Sequence, residues 1–380
     1  MSIYQNKKIM FLTGTRADYG HQKVLIDGCI KEGYDVFIFI TGMHLDNKYG
    51  KTVKEIKGHG YEKYYAFYNH IDDKGNRIDS MDIMLSKTIV GFSSYVKEVN
   101  PDLIVIYADR FEALAGAIVG SLSNILTVHV QAGDASGTID NSMRHAISKL
   151  CHAHFCANKI ARGRLSKMGE NINNIFIIGT PGLDVLFSEE LPSLENVKYK
   201  YDIVFNNYSI LIFHPVITEV DDLQRQMNEI VESILESNLN YIIICPNNDL
   251  GSNKIFEKYK DIYDKDNIKI FTSIAHFDFL TLLRNANFII GNSSCGIIEA
   301  PCYGTPTINI GSRQNNRTVN NKIINSRCDK ECIIKSINKI KNYNIEKDMF
   351  FGDGSSSDNF LRIIKKESFW EIKKQKEFNL

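Results

Sequence analysis

No run of apolar residues in this chain approaches the roughly 20 needed to span a bilayer. The amino terminus, Met1 to Ile9, is polar before it enters a strand-like run, so it lacks the long apolar core of a signal peptide. Net charge is missing as well, because 45 basic residues balance 45 acidic ones. That balance argues against a nucleic-acid-binding protein or a polybasic membrane binder, a local basic groove aside. The eight cysteines are scattered, with no paired CxxC knuckle of the kind that holds zinc, and several sit in apolar runs such as Ile244-Cys245. Repeats and low-complexity segments are absent too. These absences lead to the expectation of a reduced, cytoplasmic protein with no metal-ligand cluster, no redox cofactor, and neither membrane nor nucleic acid as partner.

What is present is an alternation of short β-branched runs with longer helical segments, the pattern of parallel sheets covered on both faces. At 380 residues the chain exceeds what one hydrophobic core serves, so two domains are expected. The first series of strand candidates is Lys8–Thr13, Asp35–Ile40, Leu103–Tyr107, Ile125–Val130 and Ile175–Ile178. After Gly179-Thr180-Pro181-Gly182 the pattern lapses, then restarts with Ile210–Phe213, Tyr241–Cys245, Ile268–Phe271, Phe288–Ile290 and Thr307–Ile310. A last amphipathic stretch, Ser357 to Lys374, closes the chain. The expected architecture is α/β, with two Rossmann-like domains facing a cleft. Their boundaries are residues 1–180, completed by 357–380, and residues 181–356. Ligands in such sheets bind beyond the carboxyl ends of the strands, so strand-to-loop junctions are where chemistry is sought.

The strongest such junction is Gly291-Asn292-Ser293-Ser294-Cys295-Gly296, between a strand and a helix. Small residues let main-chain amides approach an anion, and Ser293 and Ser294 add hydroxyl donors. The plainer reading is a tight turn with serine capping. Glu299, able to accept both ribose hydroxyls, and Arg313 or Arg317, able to neutralise phosphate, favour a nucleotide diphosphate cradle. A second cluster gathers Asp109 and Arg110, Asp134, and then Asp140, Arg144 and His145. Asp140 and Arg144 also have the spacing of a helical ion pair, and Asp109 that of a helix cap. Carboxylates crowded at adjacent strand ends are nonetheless what proton transfer requires, since crowding drives their pKa values apart. His214, in Phe213-His214-Pro215-Val216, ends a strand of the second half. The turn Gly14 to Gly20 lacks the spacing of GxGxxG or a P-loop, so Arg16 and Asp18 serve either a sugar or a helix cap.

Taken in order, these segments resemble the hydrolysing UDP-N-acetylglucosamine 2-epimerases of sialic and legionaminic acid biosynthesis. The resemblance runs through Thr15-Arg16-Ala17-Asp18-Tyr19, Thr41-Gly42-Met43-His44, Asp109-Arg110-Phe111, Ser136-Gly137-Thr138-Ile139-Asp140, Arg144-His145-Ala146-Ile147, His214-Pro215-Val216 and Pro246-Asn247-Asn248-Asp249. It closes with the Gly291 to Gly296 segment, Gly311-Ser312-Arg313-Gln314 and Gly352-Asp353-Gly354. It implies a GT-B-like fold and conversion of UDP-N-acetylglucosamine and water to N-acetylmannosamine and UDP, without a cofactor. It also implies a homo-oligomer, dimer or tetramer. By position, Asp109, Asp134 and Asp140 would be the acid/base carboxylates, and His214 would assist UDP departure. Arg16, Arg110, Arg144, His145, Asn292, Ser293, Ser294, Gly296, Glu299, Arg313 and Arg317 would hold the UDP-sugar, with Asn247 and Asp249 lining its site.

Two departures stand out. The family commonly has Gly-Asp-Arg where this chain has Ala108-Asp109-Arg110, and Glu-Gly-Gly-Glu where it has Gln131-Ala132-Gly133-Asp134. Altered sugar contacts would suit the related branch that hydrolyses UDP-2,4-diacetamido-2,4,6-trideoxyglucose. The further alternatives are a non-hydrolysing 2-epimerase and, from another class, an inactive nucleotide-sugar sensor.

Overall fold

A computed structural model describes residues 6–377, except 73, 79, 138, 188–190, 248, 316, 318, 319 and 341–344. Thr138 and Asn248, members of two motifs quoted above, therefore lie outside the described residues. Among the described residues the strands form two sheets. The first holds β1 (Lys8–Thr13), β2 (Asp35–Ile40), β3 (Tyr64–Ala66), β4 (Leu103–Tyr107), β5 (Leu126–Val130), β6 (Ala153–Cys156) and β7 (Ile175–Ile177), in the order β3-β2-β1-β4-β5-β6-β7. The second holds β8 (Ser209–Ile212), β9 (Tyr241–Ile244), β10 (Ile268–Phe271), β11 (Ile289–Gly291), β12 (Thr307–Ile310) and β13 (Ile324–Ser326), in the order β10-β9-β8-β11-β12-β13. Every pairing between these strands is parallel.

The strand order reverses once in each sheet, between β1 and β4 in the first and between β8 and β11 in the second. At such a switch point neighbouring strands send their crossovers to opposite faces, which opens a crevice at their carboxyl ends. The sequence builds these strands because both faces are covered. In β4, all five residues of Leu-Ile-Val-Ile-Tyr are buried, and alternate side chains enter different cores. Leu103, Val105 and Tyr107 join Ile9 and Phe11, while Ile104 and Ile106 join Met10 and Leu12. The second sheet repeats the device, with Tyr241 and Ile243 on one face and Ile242 on the other.

The chain divides into two compact units. The first takes the chain up to Asp134, Asp140–Asp184 and the chain from Phe351; the second takes Ala135–Ile139 and Val185–Phe350. Residues 135–139, expected with the first domain, sit in the second unit because the Gly137 N–H donates to the Arg313 carbonyl at 2.8 Å. Residues 181–184 and 351–356 belong to the first unit instead. There the Asp184 carboxylate accepts the main-chain N–H groups of Ser356 and Ser357 at 2.9 and 2.6 Å and so caps the helix Ser356–Ile364. The closing stretch is two helices, Ser356–Ile364 and Glu367–Trp370, because the Trp370 indole N–H folds back onto the Ile364 carbonyl at 2.7 Å and ends the first.

Phe360 of this helix is fully buried, with its ring centroid 4.8 Å from that of Phe155 on β6. Truncating so enclosed a ring removes its transfer free energy and leaves a cavity. Phe360→Ala is expected to cost about 3–5 kcal/mol in urea unfolding. A loss below about 1 kcal/mol would mean that the closing helix is not part of the first unit's core.

Candidate functional site

In the first unit, β1 ends at Thr13 and the helix Arg16–Lys31 begins three residues later. Asp18 is its capping-box residue: its carboxylate accepts the N–H groups of Gly14 and Thr15 at 3.0 and 3.1 Å and the Thr13 hydroxyl, while the Thr15 hydroxyl accepts the Asp18 N–H at 3.2 Å. Of the two readings open for Asp18, the structure shows the cap. Burial pushes its carboxyl up to about 6, with a smaller push from Glu112 working against these hydrogen bonds. Arg16 lies against Glu55, Nε to Oε2 at 2.8 Å.

The ends of β4 and β5 share an unusual geometry. Ala108 and Gln131, the residues that follow the two strands, both have positive φ, 58° and 60°. For a residue with a Cβ this costs about 1–2 kcal/mol, and the neighbouring main chain over-determines it. The Ala108 N–H donates to the Val130 carbonyl at 3.0 Å, and the Ala108 carbonyl accepts from His129 Nε2 at 2.7 Å. Because a carbonyl only accepts, His129 carries its proton on Nε2 and takes a hydrogen bond from Ser148 Oγ at Nδ1, 2.9 Å away. Asp109 follows, and one of its carboxylate oxygens is bonded by Arg144 Nη2. Arg144 reaches it from the helix Ile139–Leu150 and is 1% exposed, so the pair is nearly dehydrated on the arginine side.

Asp134 is buried at the end of the β5 turn, and Asp140 and His145 are half-buried on the helix that carries Arg144. Burial, then the charges of Arg144 and Arg164, holds the His145 imidazole below its ordinary range. Arg110 turns to the buried Glu112, Nε to Oε2 at 3.1 Å. Arg144 and Arg110, expected to hold substrate, thus have carboxylates of their own unit as partners. Glu112, His129 and Gln131 were not among the expected site residues. Each occupies a strand end or the first turn after one, and Gln131 is also one of the departures from the family pattern.

In the second unit, the carboxyl ends of β8, β9, β11 and β12 bring together His214, Asn247 and Asp249, the Asn292 to Glu299 segment, and Arg313 with Arg317. Gly291 has φ 129°, and a Cβ there would lie 2.0 Å from the Ile212 carbonyl oxygen, so β11 and β8 approach more closely than any other residue permits. The Asn292 side chain does not point away from the protein. Its Oδ1 accepts the His214 N–H at 2.7 Å and its Nδ2 donates to the His214 carbonyl at 2.8 Å. The Asn292 carbonyl in turn accepts from Gln314 Nε2 at 2.8 Å and Arg313 Nη1 at 3.2 Å. His214 Nδ1 accepts the Asn247 N–H at 3.3 Å, which leaves the proton of the neutral ring on Nε2. Ser294–Gly296 forms one 3-10 turn, and Glu299, 3% exposed, opens the short helix Glu299–Tyr303. Arg317 Nη1 donates to Gln314 Oε1 at 3.2 Å. Among the described residues there is no group of three or more metal-ligating side chains, and no helix is long and apolar enough to cross a membrane.

Two parallel sheets of matching strand order, each with polar loops at its switch point, define a pair of Rossmann-like domains of the GT-B-like kind. The family model described as UDP-N-acetylglucosamine 2-epimerase matches residues 30–365, and the chain belongs to that family. It is 40% identical over 378 residues to the UDP-N-acetylglucosamine 2-epimerase of Neisseria meningitidis serogroup B, covering 98% of each chain. It is 34% identical over 363 residues to the UDP-N,N'-diacetylbacillosamine 2-epimerase (hydrolyzing) of Legionella pneumophila, covering 94% of this chain and 96% of that one. Among solved structures, UDP-GlcNAc 2-epimerase from Methanocaldococcus jannaschii in complex with UDP-GlcNAc and UDP superposes with a TM-score of 0.77 at 22% identity, covering 94% of this chain and 99% of that one.

The buried imidazoles make a prediction about stability. Burial is the first cause that lowers His44 and His129 to about 3 and His152 to about 4. Their unfolded values, near 6.5, lie above the folded ones, so their stabilisation is complete above about pH 6.5 and lost as pH falls toward 4. Asp18, raised to about 6, acts in the opposite direction over part of that window but carries one proton against three. Urea unfolding is expected to weaken from pH 6.5 to 4.5, by up to about 1.4 kcal/mol per pH unit for each histidine before the Asp18 offset. A flat profile would show that these rings are charged in the fold.

Proposed function

We propose that this chain is a hydrolysing 2-epimerase that converts UDP-N-acetylglucosamine and water to N-acetylmannosamine and UDP. The observation that carries this reading is Asp109, a carboxylate at the first sheet's switch point that follows Ala108, whose main chain is fixed by β5, and whose side chain is oriented by buried Arg144. Asp134 follows the adjacent strand, and Asp140 stands on the helix that carries Arg144. In the elimination, one of these carboxylates takes the carbon 2 hydrogen as a proton. The electron pair of that bond becomes the carbon 1–carbon 2 double bond, and the bond from carbon 1 to the phosphate oxygen breaks with its pair leaving on UDP. Water then adds, hydroxyl to carbon 1 and proton to carbon 2, on the face that gives the manno configuration.

His214, with its proton on Nε2, is a donor for the departing phosphate oxygen. Arg16, Ser293, Ser294, Gly296, Glu299, Arg313 and Arg317 hold UDP in this reading, and Asn247 and Asp249 line the site. Gln131 supplies an amide where the resembling family commonly has a carboxylate, so proton transfer falls to the aspartates. The Legionella relative is named as hydrolysing, which supports the hydrolytic outcome. Its name also favours a second substrate, the UDP-linked 2,4-diacetamido-2,4,6-trideoxyglucose.

Proton NMR in D2O tests the reading. Equal amounts of UDP and free N-acetylmannosamine carrying one deuterium at carbon 2 are expected. Accumulation of UDP-N-acetylmannosamine would sink the hydrolytic assignment, and turnover of the diacetamido sugar alone would favour the second substrate. UDP binding without chemistry on either sugar would mark a sensor. In the active case Asp109→Asn is expected to lower kcat by about 10²–10⁴-fold, with KM changed far less.

A further inference from the structure

We infer that Asn292 is a positioning residue for His214, acting through the histidine main chain and not as a ligand for the nucleotide. The inference rests on the reading of His214 as the donor to the leaving phosphate. At the switch point β8 and β11 part after Ile212 and Gly291, the last registered pair of their ladder. Two residues on along the β8 side, past Phe213, His214 has main-chain groups that β11 can no longer meet with main chain of its own. The Asn292 carboxamide meets both, accepting the N–H at 2.7 Å and donating to the carbonyl at 2.8 Å. A carboxamide is the side-chain group that reproduces the donor and acceptor of a peptide, and asparagine is its shortest carrier.

The clamp is itself held. Asn292 is 1% exposed, its N–H donates to the Ile212 carbonyl at 3.0 Å, and its carbonyl accepts from Gln314 and Arg313. From β12 through β11 to β8, one row of hydrogen bonds therefore fixes the main chain of His214. With the main chain so placed, the ring Nδ1 comes within reach of the Asn247 N–H at 3.3 Å, which sets its tautomer. Loss of the clamp lets His214 drift, and misplacement of a donor by about 1 Å is enough to cost on the order of 10²-fold in rate.

Asn292→Asp is the informative variant. As a carboxylate it accepts the His214 N–H but confronts the carbonyl with a second acceptor; as a protonated acid it restores both bonds. The expected result is kcat at least 10-fold below wild type at pH 8 with KM within about 3-fold, recovering as pH falls and the acid takes up its proton. Asn292→Ala is expected to lose kcat at every pH. Parallel loss in both variants with no recovery, or a KM rise that accounts for the loss, would overturn the inference and return Asn292 to the nucleotide. ¹⁵N NMR of the His214 ring tests the clamp without turnover. Should the wild type act on neither sugar, the proposed reaction fails, yet the Nε2–H tautomer in wild type and a tautomer mixture in Asn292→Ala still support the clamp. The same single tautomer in both proteins would overturn it.

Discussion

Parallel strands that part at a switch point leave main-chain groups with nothing to pair with, and the rest of this molecule's polar architecture follows from how those groups are met. A buried N–H or carbonyl without a partner costs roughly 1–3 kcal/mol. Each sheet meets the main-chain groups beyond its strand ends in its own way. At the β8–β11 switch point a side-chain amide takes the place of the missing strand. Beyond β4, in the first sheet, the histidine of the next strand reaches across to the Ala108 carbonyl while the Val130 carbonyl takes the Ala108 N–H. The residues that follow these satisfied positions, or sit at them, are Asp109 and His214.

Much of this arrangement was legible in the sequence, and the limits have physical causes. Strands such as Lys8–Thr13, Asp35–Ile40 and Leu103–Tyr107 are read to the residue because both faces are buried and the composition is β-branched or aromatic. β6 was not found: Ala153-His154-Phe155-Cys156 is wholly buried but has no β-branched residue. β3 and β13, Tyr64-Tyr65-Ala66 and Ile324-Asn325-Ser326, lack the consecutive or alternating isoleucines that mark the equally short β7 and β11. The helices Lys159–Lys167 and Lys330–Ile340 also lay outside the expectation, although the second has a clear apolar face of Ile333, Ile337 and Ile340.

For the site, strand ends were the right place to look, but direction was hidden. Asn292 is the same amide whether it faces a nucleotide or His214, and the partner that decides lies 78 residues away in sequence. Arg144 likewise shows the spacing of a helical pair with Asp140, while Asp109, 35 residues away, is a partner only the fold supplies. Local pattern reads the element a residue stands on. It does not read what a long polar side chain crosses to meet.

The two switch points also differ in kind, and the difference fits the two halves of the proposed chemistry. Around Asp109 the groups are titratable or charged and stand on strained turns, with Ala108 and Gln131 both held at positive φ. Such strain is stable only when surrounding bonds fix it, and it delivers carboxylates whose positions do not relax when a proton moves. Around His214 the loops present serine hydroxyls and glycine main chain with Arg313, Arg317 and Glu299, groups that in the proposed reaction would face the negative charge developing on a leaving phosphate. Gln131 belongs to the same logic. A buried carboxylate in its place would add a further charge to desolvate, whereas the amide adds none. In the proposed reaction the amide would thus leave the taking and giving of the proton to the aspartates.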